Sequence, residues 1–527
     1  MKFRLREIPL QLDEDEALLP EKIAAELGLR VGQLLSWAIV RKGIDARRKP
    51  RVLRVYTVDL SLSEATADAL DVERCSRLSR VDDVAPRAPR PRVARPCRVT
   101  VVGMGPAGLF SALQLAEAGA TVTLVERGKP VAERLRQVRS HWAGGPLDSE
   151  NNVQFGEGGA GTFSDGKLTS RLNHPLMRTV LETLVRFGAP AEILLQAKPH
   201  IGSDRLRGVL VNFRGQLERL GVDIRFSTRL TGLALADGRV AAGILNDREE
   251  LPCEALVLAP GHSARDTYRM LCDSGILLAA KPFAVGLRVE HPAAAINQIQ
   301  YGLAGHPRLP AADYALTWND RRSGRGVYSF CMCPGGVVVN ASSEPGGLVV
   351  NGMSDYRRDG EFSNSALVVA VRPSDFDGSD PLAGVRFQRR WEEAAFVAGG
   401  SGNLAPAQPL LEFLDGRPGR LHSTCRPGIV HAELREVLPD FVSTSLKQAL
   451  PQFNRRMRGF VSAEATLVGV ETRTSAPLRI VRNEQCRSIS HAGLYPAGEG
   501  AGYAGGIMSA AVDGLRVAEQ ITEHFSC

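Results

Sequence analysis

Glycines 103, 105 and 108 have the spacing G-x-G-x-x-G within RVTVVGMGPAGLFSALQLAEAGATVTLVER, residues 98–127. Each has a separate physical role: Gly103 gives a tight turn, Gly105 close approach of backbone to a pyrophosphate, and Gly108 close packing of helix on strand. A helix opening at Pro106 and Ala107 points its free N–H groups and the positive end of its dipole at the phosphates. Glu126 follows 18 residues after Gly108, where a carboxylate accepts hydrogen bonds from a ribose hydroxyl pair. Arg127 completes this first set of expected nucleotide contacts.

These residues need a strand before the turn, a helix after it and a second strand ending at the acid. The segment reads that way, and the near-continuous apolar runs in both strands fit a buried parallel sheet. A second glycine-rich stretch, GEGGAGTFSDGKL at 156–168, lets backbone pass close to a planar ligand, with Thr162, Ser164, Asp165 and Lys167 as polar groups. Further on, the chain from Gly221 reads as a strand, a hairpin turning at Asp237-Gly238, and a buried strand Ala255–Leu258 ending in Ala259-Pro260-Gly261.

The C-terminal segment LYPAGEGAGYAGGIMSAAVDGLRVA, residues 494–518, resembles the flavin motif of the two-dinucleotide-fold flavoproteins. The resemblance puts Gly498 and Glu499 at the ribityl-phosphate, with glutamate where aspartate is more usual. Gly505, Gly506 and Ile507 would open a helix toward the flavin ring, stabilising negative charge on its pyrimidine edge. The hairpin segment resembles the β-meander of the same group, with Gly261 in the turn beneath the cofactor and the backbone of Leu230 near the adenine. By the same resemblance Gly158, Gly159 and Thr162 contact the pyrophosphate and the ring, so the implied cofactor is FAD.

Over its whole length the chain resembles a group of bacterial uncharacterised FAD-dependent dehydrogenases, NAD(FAD)-utilising dehydrogenase-like. The likeness is carried also by IDARRK at 44–49, FCMCPGG at 330–336 and ETRTSAPLRI at 471–480. It implies an FAD-dependent oxidoreductase transferring a hydride between flavin and a small organic substrate, with NAD(P)H as a candidate transient electron donor. The expected class is α/β: a discontinuous Rossmann-like FAD-binding domain, parallel sheet plus β-meander, with an inserted α+β cap and a small N-terminal α+β domain.

The expected boundaries are 1–83 for the N-terminal domain and 84–98 for a Pro/Arg linker, VAPRAPRPRVARPCR. The FAD-binding domain would span 99–264 and 466–527, around a substrate or cap domain at 265–465. In the N-terminal domain KFRLREIPL and VLRVYTVDLSL read as strands, and PEKIAAELG and VGQLLSWAIV as helices. The basic run Arg41–Arg51 between them reads as a solvated loop. It also leaves open an RNA-directed flavoprotein binding phosphate backbone there, and a flavin-bound scaffold without turnover is a third reading.

Two residues are candidates for catalysis. Lys167 could polarise a flavin or substrate carbonyl, or pair with Asp165 or Glu157. Arg473 could approach the ring or bind an anionic substrate through its planar fork, or pair with Glu471. Cys331 and Cys333 read as buried structural thiols, since i, i+2 spacing in a strand sets both on one face without a favourable disulfide. His262, His291 and His422 could be general acids or simply satisfied histidines.

Composition limits the rest. Nine cysteines, an odd and scattered number, point to reduced thiols, and none stands in a paired zinc spacing, so no metal is expected. The N-terminus carries charge where a signal peptide needs an apolar run, and the apolar stretch at 99–125 is broken by glycine, proline and glutamate. A cytoplasmic protein without a membrane partner is the expectation. The net charge of +7 allows a polyanionic partner and equally suits binding of a diphosphate cofactor.

Overall fold

A computed structural model describes residues 1–70, 75–82 and 91–526. The N-terminal unit is built on β1 (Lys2–Gln11), α1 (Leu19–Leu27), β2 (Ser36–Arg48), β3 (Arg51–Ser61), α2 (Glu64–Asp68) and β4 (Leu78–Arg80). Its antiparallel sheet has the order β2-β3-β1-β4. The apolar stripe of α1, Leu19, Ile23 and Leu27, covers Phe3, Leu5, Tyr56 and Val58.

Two expectations fail here. The second helix, around VGQLLSWAIV, is one 3-10 turn at Val31–Gln33 followed by β2. Trp37, Ile39, Val40 and Ile44 are stiff or aromatic residues that suit a pleated surface, and pairing along the length of β3 outweighs the helical pattern. The basic run Arg41–Arg51 is therefore the end of a β-hairpin, not a loop. The Lys42 N–H donates to Leu195 O (2.7 Å), Lys49 Nζ donates to Ile299 O (2.6 Å), and Asp45 binds Arg47. Of the expected linker, residues 84–90 lie outside the described residues. In the remainder, the Val93 N–H donates to Ala118 O and the Ala94 N–H to Phe525 O.

Next come β5 (Arg98–Val102), α3 (Pro106–Glu117), β6 (Thr121–Val125), α4 (Val131–Trp142), α5 (Leu176–Arg186), α6 (Ser203–Arg219) and β7 (Asp223–Arg225). β8 (Leu230–Ala236), β9 (Arg239–Leu245) and β10 (Glu249–Pro252) form an antiparallel meander, and β11 (Ala255–Leu258) is wholly buried. Asp237 and Gly238 turn the first hairpin at φ 51° and 71°, the left-handed pair that a two-residue hairpin requires.

α7 (Arg265–Asp273) and β12 (Leu278–Ala280) remain with this unit: Tyr268, Leu271 and Leu278 pack with Leu230, Leu256 and Leu478. The inserted segment holds β13 (Phe283–Pro292), α8 (Ala293–Tyr301), β14 (Thr317–Asn319), β15 (Gly326–Cys333), β16 (Val337–Asn340), β17 (Val350–Met353), β18 (Phe362–Val371) and α9 (Ala383–Ala398). It continues with β19 (Ala405–Pro409), α10 (Leu410–Asp415), β20 (Ile429–His431), α11 (Asp440–Arg456) and β21 (Thr466–Glu471). Seven strands make one sheet, β14-β15-β18-β13-β21-β19-β20, and β16 pairs with β17 in a separate hairpin. The inserted sheet runs from Phe283 to Glu471.

The chain then returns through β22 (Leu478–Ile480), paired with β12, and β23 (Leu494–Pro496) to α12 (Ile507–Phe525). β23 completes a five-stranded parallel sheet, β23-β11-β5-β6-β7, drawn from three distant parts of the sequence. One face is covered by α3, α5, α6 and α12, and the other by the meander, α7 and the β12–β22 ribbon. This is the α/β class expected from the sequence. Among the described residues no helix is long and apolar enough to cross a membrane.

Candidate active site at the crossing of four glycine turns

β5 ends in Gly103 at φ 96°, where a Cβ would lie 2.2 Å from Ala259 O. A Cβ on Gly108 would lie 1.8 Å from Gly103 O, so these two glycines pack the turn against its own strand and helix. Gly105 is different: it faces only Gly159, with Cα 3.9 Å from its would-be Cβ. Gly261, Gly505 and Gly506 have nothing within 4 Å of a Cβ and open onto space. α3 begins at Pro106 and α12 at Ile507, and neither N-terminus carries a side-chain cap.

The four turns touch one another. The Gly158 N–H donates to Met104 O (2.9 Å), and Gly161 packs on Ile507. A Cβ on Gly500 would meet the backbone of Gly261, and one on Gly498 would meet the Cβ of Ala107 at 2.7 Å. The Tyr268 hydroxyl, in α7, lies within bonding distance of Gly261 O (3.3 Å) and Gly500 O (2.8 Å). Asp513, one face of α12 down from Ile507, accepts from the Gly498 N–H (2.8 Å) and is held by Arg482 (2.5 Å).

A buried guanidinium supports the second loop from beneath. Arg134, inaccessible to solvent, donates to the carbonyls of Asn152, Val153, Gly156, Glu157 and Gly159 and to Thr162 Oγ1. Burial pushes it down to about 9, against the pull of Glu126 and Glu157. With the carbonyls turned down onto Arg134, the loop is fixed against the glycine turn. Thr162 is buried and bonded within the loop, to Arg134 and Glu157 O.

Glu126 is also buried. Its carboxylate accepts from the N–H groups of Met104 (2.8 Å), Gly128 (2.9 Å) and Gly156 (2.9 Å), clasping both turns. A carboxylate has roughly four acceptor positions, so a ribose hydroxyl has one left. Arg127 stacks on Phe155 and binds Glu150 and Asp266. Leu230 points its side chain into the core with Val102 and Leu256.

The candidate catalytic residues separate. Lys167 Nζ lies 3.8 Å from Asp165 Oδ2, beyond hydrogen-bond length, while Asp165 is held by Arg358 and by Ser354 Oγ. Glu157 takes Arg214 instead (3.2 Å). Arg473 is not paired with Glu471. It joins Arg265 of α7 on the fully buried Glu392 of α9, with contacts of 2.7 Å from each, and reaches Ser343 Oγ (2.5 Å) and Glu344 (3.3 Å). Burial would raise the Glu392 carboxyl, but the two guanidiniums hold it well below its usual range. Glu471 pairs with Arg288 of β13 (2.6 Å).

His262 adjoins this ion cluster, where burial and the charges of Arg473 and Arg265 push it down to about 4. His291 is enclosed and bonds Phe460 O through Nε2 (2.7 Å), and His422 stacks on Phe362.

Lys281 enters the electrostatic surroundings of Glu499 without a sequence signal. Burial pushes Glu499 up to about 7; Lys281, which precedes β13, opposes that shift and the Cys331 thiolate adds to it. Burial lowers Lys281 in turn, with Glu499 opposing. Cys331, at the end of β15, thus belongs to the electrostatic surroundings of the C-terminal motif as well as to those of Lys167. Among the described residues, no group of three His, Cys, Asp or Glu side chains could hold a metal ion.

Residues 98–160 match an FAD binding domain family, residues 282–474 the family described as FAD-dependent protein, C-terminal domain-like, and residues 3–61 a domain of unknown function. An uncharacterized protein of Clostridium beijerinckii is 44% identical, over 100% of this chain and 99% of its own length. Among solved structures, glycerol-3-phosphate dehydrogenase from Bacillus halodurans complexed with FAD covers 82% of this chain and 65% of its own, at 11% identity and TM-score 0.35. Glycine oxidase from Bacillus cereus covers 81% and 95%, at 12% identity and TM-score 0.30. Structural likenesses this distant identify neither reaction nor substrate.

Proposed function

The chain belongs to the family of FAD-dependent proteins that includes its 44% identical relative, and from that premise we propose that it transfers a hydride between FAD and a small organic substrate. FAD supplies the two-electron chemistry when bound. The open glycine faces and the two uncapped helix N-termini fit it: the turn at Gly103–Gly108 with the start of α3 would hold the pyrophosphate. Glu126 would take a ribose hydroxyl, Gly158 and Gly159 would flank the phosphates, and Gly498–Glu499 with the start of α12 would hold the ribityl chain and ring.

The observation that supports turnover rather than mere storage of flavin is the buried Glu499, whose raised carboxyl is opposed electrostatically by Lys281. A carboxyl raised to about 7, with a lowered ammonium opposing the shift, can hold or release a proton near neutral pH, which is the property a general acid or base needs. Lys167 supplies a second positive charge from the glycine loop. The Arg265–Glu392–Arg473 cluster has its charges matched once Glu344, bound to both arginines, is counted, so its role is to lock α7 to the inserted segment. Arg473 then serves position rather than chemistry.

Anaerobic titration with NADH and NADPH, followed through the visible band of oxidised flavin, tests the electron donor. Bleaching identifies nicotinamide as donor and turns the search to acceptors. A flavin that dithionite reduces while nicotinamides do not directs screening to hydroxy and amino compounds. Failure of every donor and substrate would overturn the hydride-transfer reading in favour of a scaffold.

A further inference from the structure

On a regular strand Cys331 and Cys333 would be spaced neighbours on one face of β15. The pairing of β15 with β18 instead slips between Phe330 and Cys333, and Cys331 adopts φ 45°, a left-handed conformation that a residue other than glycine rarely takes. The irregularity gathers both residues around one guanidinium. Arg288 donates to Cys331 O (2.6 Å) and, at 3.6 Å, to Cys333 Sγ, which itself lies 3.4 Å from Cys331 O. Arg288 is fully buried and fixed by Glu471 (2.6 Å), Asn364 (2.7 Å) and Asn351 (3.2 Å).

The location matters as much as the pairing. The β16–β17 hairpin that follows Cys333 is tied to the cofactor loop: Gln154 Nε2 donates to Ala341 O (3.1 Å), and Asp165 binds Ser354 and Arg358. Lys167 and Asp165 of the glycine loop and Glu499 of the C-terminal motif all act electrostatically on, or feel, Cys331. Cys333 is buried and Cys331 is partly accessible. Functional strain in a bulge beside a cofactor site is a recurrent way of aiming a side chain.

We propose that Cys331 and Cys333 are a redox-active dithiol that exchanges two electrons with the FAD bound in the glycine cradle. In the forward direction both S–H bonds break and one S–S bond forms. The two sulfurs lose two electrons and two protons; FAD takes up both and becomes FADH2, and the reverse reaction restores the thiols. The Cys333 thiol beside it, and then Lys167 and Arg288, lower Cys331 against the effect of burial, while Cys333 is raised. Cys331 is therefore the thiolate and Cys333 keeps the proton until the bond closes. This rests on FAD binding and is independent of whether the substrate is reduced by hydride transfer.

The test is differential thiol labelling of the full-length holoprotein, with peptide mass analysis of the segment containing Cys331 and Cys333. With alkylation carried out as the protein is unfolded in denaturant, so that burial of Cys333 gives no protection, the two should resist labelling after air oxidation and both should be labelled after anaerobic dithionite reduction. Reductive titration should consume four electrons per flavin in the wild type and two in C331S and in C333S. Two electrons per flavin in the wild type, with both thiols open to alkylation in the oxidised protein, would overturn the proposal. Because labelling is done on the wild type, loss of flavin from a variant does not decide the matter. Starting from the air-oxidised protein, reduction of flavin by a hydride donor with no thiols released from Cys331 and Cys333 would sink this inference and leave the proposed hydride transfer standing.

Discussion

At the scale of single residues, the site depends on charges that burial makes expensive and partners make tolerable. Glu499→Gln and Lys281→Met should retain FAD, measured by flavin released on denaturation, while lowering turnover roughly 10²–10⁴-fold, the usual worth of a general acid or base. The sign of the pH effect on Glu499 follows from its raised value: its contribution to stability is full below the ordinary glutamate range near 4.3 and is lost as pH rises through about 7. Urea unfolding of apoprotein should therefore show wild type losing stability relative to Glu499→Gln across that window, with Lys281 and Cys331 the charged groups facing it. Glu392 has the opposite sign. Its carboxyl is held low, so Glu392→Gln, which leaves the buried Arg265 and Arg473 to share the single carboxylate of Glu344, should cost about 3–5 kcal/mol at neutral pH, and the gap should close as pH falls below the ordinary glutamate value. Glu126 and the glycines beside it were legible because a few adjacent residues dictate a turn. The partner of Arg473 was not: Glu392 is 81 residues away, and only the folded chain brings them to 2.7 Å.

At the scale of elements, α3 and α12 cross where both have small residues, and that crossing sets two uncapped helix ends toward one cleft. A Cβ on Gly514 of α12 would lie 2.2 Å from Ala107 O, a backbone atom that cannot yield without moving α3. Gly514→Ala should cost about 1–3 kcal/mol and lower the FAD content of purified protein. Gly208 in α6 has nothing within 4 Å of a Cβ, so Gly208→Ala should be neutral or stabilising by about 0.5–1 kcal/mol. The pair of thermal melts separates backbone crowding from helix propensity: equal shifts for both variants would refute the crossing argument. At this scale the parallel strands and α12 could be read from apolar runs and glycine punctuation. The β2 strand could not, because VGQLLSWAIV at 31–40 has a helix-like pattern and the basic run from Arg41 reads as a loop, and from Ser36 on both become strand through pairing with β3.

At the scale of the whole molecule, three units share cores across large sequence separations. Val52, beside the N-terminal hairpin turn, is buried in the core of the inserted segment with Phe283 and Leu287, and Lys49 bonds to the end of α8. Removing that side chain's packing in Val52→Ala should cost about 1.5–3 kcal/mol, read by calorimetry as a lower transition for the unit containing the inserted sheet, with the flavin content unchanged. A shift confined to the N-terminal unit would contradict this coupling. The Arg265–Glu392–Arg473 cluster makes a similar tie between α7 and α9, so the inserted sheet is positioned over the cradle by buried charge as well as by apolar contact.

The amino-acid sequence alone determined the dinucleotide-binding βαβ unit and the hairpin after it, because each is a local pattern in which spacing specifies backbone geometry, and the resemblance of the C-terminal glycine segment to a flavoprotein motif implied FAD. Tertiary structure decided what meets those turns: that Arg473 locks two units together, that the charges of Lys281 and Cys331 act on Glu499, and that the inserted sheet begins at Phe283 and ends at Glu471. Those facts depend on contacts between residues tens to hundreds of positions apart, where burial and pairing set charge and conformation. No local spacing encodes them.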